Sequence, residues 1–343
     1  MISPTLKKLI VSAKGKKASD IHICVGAPVL FRIGKDLVPS TAGAITAELS
    51  EKMIGEMLTE RQMEQFREQL DYDLVIADDD GRYRVNLSYN DRAIGAVIRL
   101  LGDEGRTLEG LGLPPVVKEL SRHTKGLVLI TGSTSQGKTT TMSAIINEIN
   151  NNQRRHIITI EDPIETLHIN KKSIVRQREI GRDTKTFYSG LRAALRQDPD
   201  VVAIGEMRDY ETIKIALTAA ETGVLVLSTL HIISIDKMLE RLLSYAPSED
   251  QDHLRFLMAG ALQGVIHQEL IPNVHGSKQV ACEILIGTDA VKNIIRHRDS
   301  FMLRNVIHTG GKFGMMTMAQ SIGGLVERGL IERSVAEPIL RNY

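Results

Sequence analysis

The chain has 343 residues, more than one typical domain needs and enough for two. Apolar residues make up 42% and charged residues 25%, the mix of a soluble globular protein. A formal charge of +1 gives no basic face for a nucleic acid, and 4% aromatics without tryptophan leave no base-stacking platform.

The opening stretch, MISPTLKKLIVSAKGKK, lacks the apolar core of a signal peptide, and its spacing predicts a helix over Pro4–Ala13. Alternating segments follow near Asp20–Cys24 and Pro28–Ile33. A longer helix is expected from about Ser50 to Leu70, with Met53, Ile54, Met57, Leu58, Met63, Phe66 and Leu70 on its apolar side. At that spacing the methionines read as core rather than as an adaptable binding surface. Strands are expected at Asp73–Ala77, Arg82–Ser88 and Ala93–Leu100, the first two joined by a turn at Asp78-Asp79-Asp80-Gly81. Residues 1–101 therefore read as a small α+β unit. The next stretch, GDEGRTLEGLGLPP at 102–115, has the glycines and prolines of a linker or hinge. Beyond it, apolar strands at Leu127–Ile130, Ile157–Ile160, Val201–Ile204 and Val224–Thr229 alternate with helices, the pattern of a largely parallel sheet covered on both faces. Gly223 reads as a helix C-cap, and Ser248 with Gln251 as a capping box for a helix carrying Leu254, Leu257, Met258, Ala261, Leu262 and Val265. A last strand near Gln279–Ile286 leads into a helical tail from about Asp289. The two cysteines, Cys24 and Cys282, form no C-x-x-C pair, fit a reducing compartment and read as small buried apolar residues. No stretch approaches the ~20 apolar residues of a membrane span, so a cytoplasmic location is expected.

One loop organises the second region: Gly132-Ser133-Thr134-Ser135-Gln136-Gly137-Lys138-Thr139, a match to G-x-x-x-x-G-K-S/T. A buried-strand run, GLVLIT, precedes it, and a helical stripe of Met142, Ile145, Ile146 and Ile149 follows. Strand, glycine turn and helix in that order aim backbone N–H groups and the helix dipole at one point, where a phosphate is held. Lys138 would reach the β- and γ-phosphates, the Thr139 hydroxyl would ligate Mg²⁺, and Thr140 extends the nucleotide-binding set. Two further strands end in acids, at Glu161-Asp162-Pro163-Ile164-Glu165 and Glu206-Met207-Arg208-Asp209, and a third ends Ser228-Thr229-Leu230-His231. The carboxyl edge of such a sheet is where ligands sit. Carboxylates there can hold Mg²⁺ through water or orient an attacking water, whereas Asp209 is explained as well by capping a helix.

Together with ASDIHICVGAPVLFRIG at 18–34, RYRVNLS at 82–88, TIEDPIE at 159–165, DPDVVAIGEMRD at 198–209 and ETGVLVLSTLH at 221–231, the chain resembles the secretion-type ATPases that drive type IV pili and type II secretion. QREIGRDTKTF at 177–187, LRAALRQDPD at 191–200 and the absence of a paired C-x-x-C insertion are similar to the retraction subgroup. The resemblance implies an N-terminal PAS-like α+β domain at 1–101, a hinge at 102–115, a RecA-like P-loop ATPase core at 116–287 and a helical tail at 288–343. It also implies ATP and Mg²⁺ as cofactors, Glu165 as general base and Glu206 at the Walker B position acting on Mg²⁺. His231 falls in the histidine box, and Arg84, with Arg82 and Arg99, would reach a neighbouring subunit's nucleotide as arginine fingers. The resemblance further implies a homo-hexamer at the cytoplasmic face of the inner membrane, working on a pilus platform protein and beside other motor ATPases of the same machine.

Three departures stand out. Ser133, Ser135 and Gln136 replace the usual Pro, Gly and Ser of the loop, and a positive φ at Ser135 would cost about 1–2 kcal/mol. Val224 stands where a first histidine is usual, which would remove a contact that senses nucleotide or couples subunits. In Ala290-Val291-Lys292-Asn293-Ile294-Ile295-Arg296, Lys292 replaces an arginine of the retraction tail. The expected function is a motor ATPase for pilus retraction; an assembly or secretion motor, or a low-turnover ATP-binding accessory subunit, are the alternatives.

Overall fold

Alternating and continuous apolar runs build two different sheets. The computed structural model describes residues 4–78, 81–91, 93–101 and 106–341, and the chain divides into two compact units, Met1–Glu104 and Gly105–Tyr343.

The first unit runs α1 (Pro4–Gly15), β1 (Asp20–Ile23), β2 (Leu30–Ile33), β3 (Asp36–Pro39), α2 (Ala47–Gly55), α3 (Glu60–Gln69), β4 (Asp71–Asp78), β5 (Gly81–Asn90) and β6 (Ala93–Leu101). Its antiparallel sheet has the order β3-β2-β1-β6-β5-β4. One row across it, Phe31, Ile21, Ile98, Val85 and Leu74, faces the core with Leu6, Ile10, Met53 and Phe66 of the helices. Because side chains alternate between faces, the next row, Arg32, Asp20, Arg99 and Arg84, lies on the opposite face.

The expected helix over 50–70 is two helices. Thr59 closes a capping box with Gln62, so the chain restarts there, and Leu70 ends α3 in the left-handed region, largely exposed instead of in the core. The short edge strand β3 has no separate signal in the sequence. Within the Asp78–Gly81 turn, residues 79 and 80 lie outside the described residues. Cys24 is exposed, against expectation; Cys282 is buried, which pushes its thiol up to about 12.

Of the linker, residues 102–105 lie outside the described residues. The remainder is packed: Leu108 and Leu113 are buried against Val117, Leu120 and Ile130, so this part belongs to the second unit. That unit continues α4 (Val116–Leu120), β7 (Gly126–Thr131), α5 (Lys138–Asn152), β8 (His156–Glu161), β9 (Ile174–Glu179), α6 (Phe187–Ala194), β10 (Val201–Glu206), α7 (Tyr210–Thr222) and β11 (Leu225–Leu230). Then come α8 (Met238–Leu243), α9 (Gln251–Ala261), β12 (Leu262–Pro272), β13 (Lys278–Ile286), α10 (Asp289–His297), α11 (Leu303–Thr309), α12 (Met318–Glu327) and α13 (Arg333–Leu340). The sheet order is β13-β12-β7-β11-β10-β8-β9, parallel except at β12–β13.

Leu127 and Leu129 of β7 point into one core with α6, α7 and α9, and Val128 and Ile130 into another with α4 and α5. Burial on both faces explains the continuous apolar runs. The helix expected to carry Val265 stops at Ala261 instead. The first half of Leu262–Pro272 pairs with β7, and Gly264 leaves room there for Leu120, whose Cδ2 would lie 2.7 Å from a Cβ, and for the Leu285 carbonyl at 3.2 Å. Ser248 opens a 3₁₀ turn, and α9 starts without a side-chain cap. Gly223 does close α7, at φ 141°. Among the described residues, no helix is long and apolar enough to cross a membrane.

Candidate active site

The loop after β7 takes its shape from glycine and from a neighbouring strand. Gly132 turns the chain at φ 144°, and a Cβ there would meet the Gln268 carbonyl oxygen at 2.6 Å. Gly137, at φ 79°, precedes the first residue of α5. Ser135 does adopt positive φ, 61°, with the strain of about 1–2 kcal/mol that this region costs a residue with a Cβ. Gln136 has a structural role. Its side-chain Oε1 accepts from the Leu270 N–H at 2.6 Å, and its backbone carbonyl accepts from Gln268 Nε2 at 2.5 Å. The residue that departs from the family pattern thus fastens the loop to β12.

At the helix start, Lys138 Nζ donates to the carbonyls of Gly132 (2.9 Å) and Ser133 (2.6 Å) and lies 3.4 Å from His231 Nδ1. It is 7% exposed, and burial holds its ammonium below the ordinary lysine range, partly offset by Glu206. Behind the loop, His267 is buried against Thr131 Oγ1 at 3.1 Å and its imidazole is lowered to about 4, by burial first and then by Lys138.

The acids arrive on adjacent strands at the same edge. Glu161 closes β8 and accepts from Thr159 Oγ1 (2.5 Å) and Gln177 Nε2 (3.0 Å). Glu165, itself exposed, follows in the loop after β8, next to the buried Ile164. Glu206 closes β10, pairs with Arg208, and places Oε2 3.6 Å from His231 Nε2. Burial, then Lys138, holds the His231 imidazole below its usual range despite Glu206. Asp209 is fully explained as the cap of α7, accepting from Thr212 N at 2.8 Å.

These residues line one cleft of about 470 Å³: Thr134, Ser135, Gly137, Lys138, Thr139, Thr140, Glu161, Glu165, Glu206, Thr229 and His231, with Phe187 and Leu270 as apolar walls. Helix N–H groups and one ammonium at one end suit a polyphosphate, and carboxylates at the other can orient water. No motif marks Phe187 or Leu270 as lining residues; V-I-H-Q-E-L-I after Gly264 lacks the period-2 alternation of a strand, so β12 carries no local signal.

Val224, by contrast, precedes the six residues of β11 and so lies at the opposite end of that strand from His231, roughly 20 Å away at strand rise. It cannot touch a nucleotide in this cleft. Arg82, Arg84 and Arg99 belong to the first unit. Arg82 is 7% exposed, whereas Arg84 and Arg99 stand directly opposite each other on β5 and β6. Arg99 Nε donates to Asp20 at 2.8 Å, and Arg84 lies 3.7 Å from Asp73.

The family described as type II/IV secretion system protein matches residues 1–302. This chain belongs to that family. It is 40% identical over 332 residues to the type IV pilus retraction ATPase PilT of Pseudomonas aeruginosa, covering 96% of each chain. It is 38% identical over 315 residues to a twitching motility protein of Neisseria gonorrhoeae, covering 91% of this chain and 84% of that protein. The crystal structure of the pilus retraction motor PilT with bound ADP superposes with a TM-score of 0.89 at 38% identity, over 96% of this chain and 95% of that one. The mixed α/β fold is thus that of a secretion-family ATPase, and this member of the family is an ATPase.

Proposed function

We propose that the chain is the motor ATPase of type IV pilus retraction, a hexamer converting ATP hydrolysis into withdrawal of the filament. The observation that carries this reading is a single cleft shared by Lys138, Glu165, Glu206 and His231 in a chain aligned along nearly its whole length with a retraction ATPase. Lys138 leaves its loop carbonyls to hold the β- and γ-phosphates, and the first N–H groups of α5 bind the same oxygens. Glu165 takes the proton of the attacking water. His231, neutral beside Lys138, reads the occupancy of the site through Glu206.

Thr139 and Glu206 offer hard oxygen donors to Mg²⁺ in this cleft. No cluster of three or more His, Cys, Asp or Glu suited to a metal occurs among the described residues, so phosphate oxygens and water would complete its shell. When bound, the ion supplies charge neutralisation for the transferring phosphoryl group.

The half-buried Arg84, with the exposed Arg99 opposite it, is the finger offered to a neighbouring subunit, and buried Arg82 supports the strand that carries Arg84. The division proposed is an N-terminal domain at 1–101, a linker shortened by the packing of Leu108 and Leu113, a RecA-like core to 287 and a helical tail from 288. The partners proposed are an inner-membrane platform protein and, in the same machine, other motor ATPases, met at the cytoplasmic face of that membrane.

The purified protein is expected to release phosphate from ATP with Mg²⁺, and Glu165→Gln to bind ATP without turnover. Undiminished hydrolysis by Glu165→Gln would remove that residue from its role. A deletion strain should be hyperpiliated and non-twitching; bald cells would place the motor on the assembly side. The strained Ser135 favours one other reading, a slow accessory subunit, and steady turnover by the isolated protein disposes of it.

A further inference from the structure

The QREIGRDTKTF segment, similar to the retraction subgroup, supplies Phe187 to the cleft wall, and its first residues hold the turn that carries Glu165. Gln177 and Glu179 are alternate residues of β9, so both side chains leave the same face of the strand. The Gln177 amide is fully engaged. Its Oε1 accepts from the His168 N–H at 2.8 Å, and its Nε2 donates to the Thr166 carbonyl at 2.8 Å and to Glu161 Oε1 at 3.0 Å. Glu179 Oε2 accepts from the Ile164 N–H at 3.1 Å. The turn is therefore tied at 164, 166 and 168, on both sides of Glu165, whose own side chain stays free for the cleft.

The ties are themselves supported. Asp183 accepts from the Glu179 N–H at 2.9 Å and from Arg182 Nη2 at 2.9 Å, and Arg178 Nη2 donates to the Asp183 carbonyl at 3.0 Å. Arg182 Nη1 lies 3.8 Å from Glu179 Oε1. A turn with no such ties would sample many positions of its carboxylate, and a general base works only within hydrogen-bond reach of its proton.

We propose that Gln177 and Glu179 are positioning residues that fix the 162–168 turn and through it the Glu165 carboxylate. The proposal rests on Glu165 being the general base. The experiment measures kcat, KM and nucleotide Kd in the full-length protein for Gln177→Ala, Glu179→Ala, Glu179→Gln, Glu165→Gln and the double variant Glu165→Gln/Gln177→Ala. A displacement of the base of about 1 Å predicts a kcat loss of roughly 10- to 100-fold in Gln177→Ala and Glu179→Ala, with KM and Kd nearly unchanged. Glu179→Gln keeps an acceptor for the Ile164 N–H and recovers most of the rate. On the Glu165→Gln background, where steady turnover is lost and only a slow residual single-turnover rate is followed, Gln177→Ala costs nothing further, because the two act as one unit. Wild-type kcat in Gln177→Ala with an inactive Glu165→Gln overturns the positioning role and leaves the base intact. Losses that multiply in the double variant overturn it as well. A fully active Glu165→Gln removes the base and the proposal together. Equal unfolding midpoints for Glu179→Ala and Glu179→Gln separate a positioning defect from a folding one.

Discussion

The two sheets place function in opposite ways. The central strands of the second unit, β7, β8, β10 and β11, are buried on both faces, so their acids sit at the carboxyl ends, and Lys138, Glu161, Glu206 and His231 meet there because parallel strands all end on the same side. The antiparallel sheet of the first unit has one covered face. Its charges are spread along the other as a row, Arg32, Asp20, Arg99, Arg84, with no convergence on a point. A parallel sheet builds a site by its topology; the open antiparallel face offers charges that need a partner to become one.

Arg84→Ala tests that distinction most severely. If the row serves a neighbour's cleft, kcat should fall by roughly a thousandfold or more while nucleotide affinity holds. Mixing Arg84→Ala with Glu165→Gln protein should restore turnover, since a ring then contains interfaces with both groups intact. Unchanged kcat in Arg84→Ala would confine the chemistry to the parallel sheet. Arg82→Ala should act differently, because that side chain is buried: the loss expected is in the stability of the first unit.

How much was legible follows the same division. Four of the parallel strands, β7, β8, β10 and β11, are legible within a residue or two, because burial on both faces leaves unbroken apolar runs such as Leu127–Ile130, whereas β9, half-exposed and polar, leaves no such run and goes unseen. The acids at their ends fell into place by topology alone. What escaped was decided by long-range contact. β12 looks helical in isolation, since Leu262 and Val265 continue the stripe of α9, and only pairing with β7 makes Gly264 and Val265 part of a strand. The break in the 50–70 helix is written locally, in the capping pair Thr59 and Gln62, but the apolar stripe that continues across it masks the signal. Gln136 was recognised as unusual, but its partners, Gln268 and Leu270, lie more than a hundred residues away on that same unread strand.

A smaller effect follows from Gln136. Gln136→Ala leaves the Leu270 N–H without its acceptor, and the second unit should lose about 1–3 kcal/mol in denaturant unfolding, with weakened nucleotide binding as the loop gains freedom. The family-typical Gln136→Ser should fall short of wild type for the same reason, the shorter side chain not spanning to β12. Stability equal to wild type in both variants would mean that the loop is held by its glycines alone.

A further test separates the two sheets by acid. In the second unit, His168 and His267 flank the cleft from behind, and burial, followed by Lys171 and Lys138 respectively, lowers both imidazoles to about 4. Their folded values lie below the unfolded value of about 6.5, so each contributes stability that is full above that pH. The contribution is lost as the pH falls from there toward 4, because the unfolded chain binds the proton first. The slope from each is at most about 1.4 kcal/mol per pH unit. Glu283 works the other way: burial raises its carboxyl, so its contribution grows as the pH falls. The first unit holds His22, which burial also lowers, though it is less enclosed. Calorimetry between pH 7 and 4.5 should therefore show the transition of the second unit moving down more steeply than that of the first. His168→Gln cancels every other titration in the difference from wild type, and it should flatten the steeper curve. A parallel pair of curves, unaltered by that substitution, would mean that His168 is not buried neutral against Ser143, and that the turn carrying Glu165 is less enclosed than its hydrogen bonds imply.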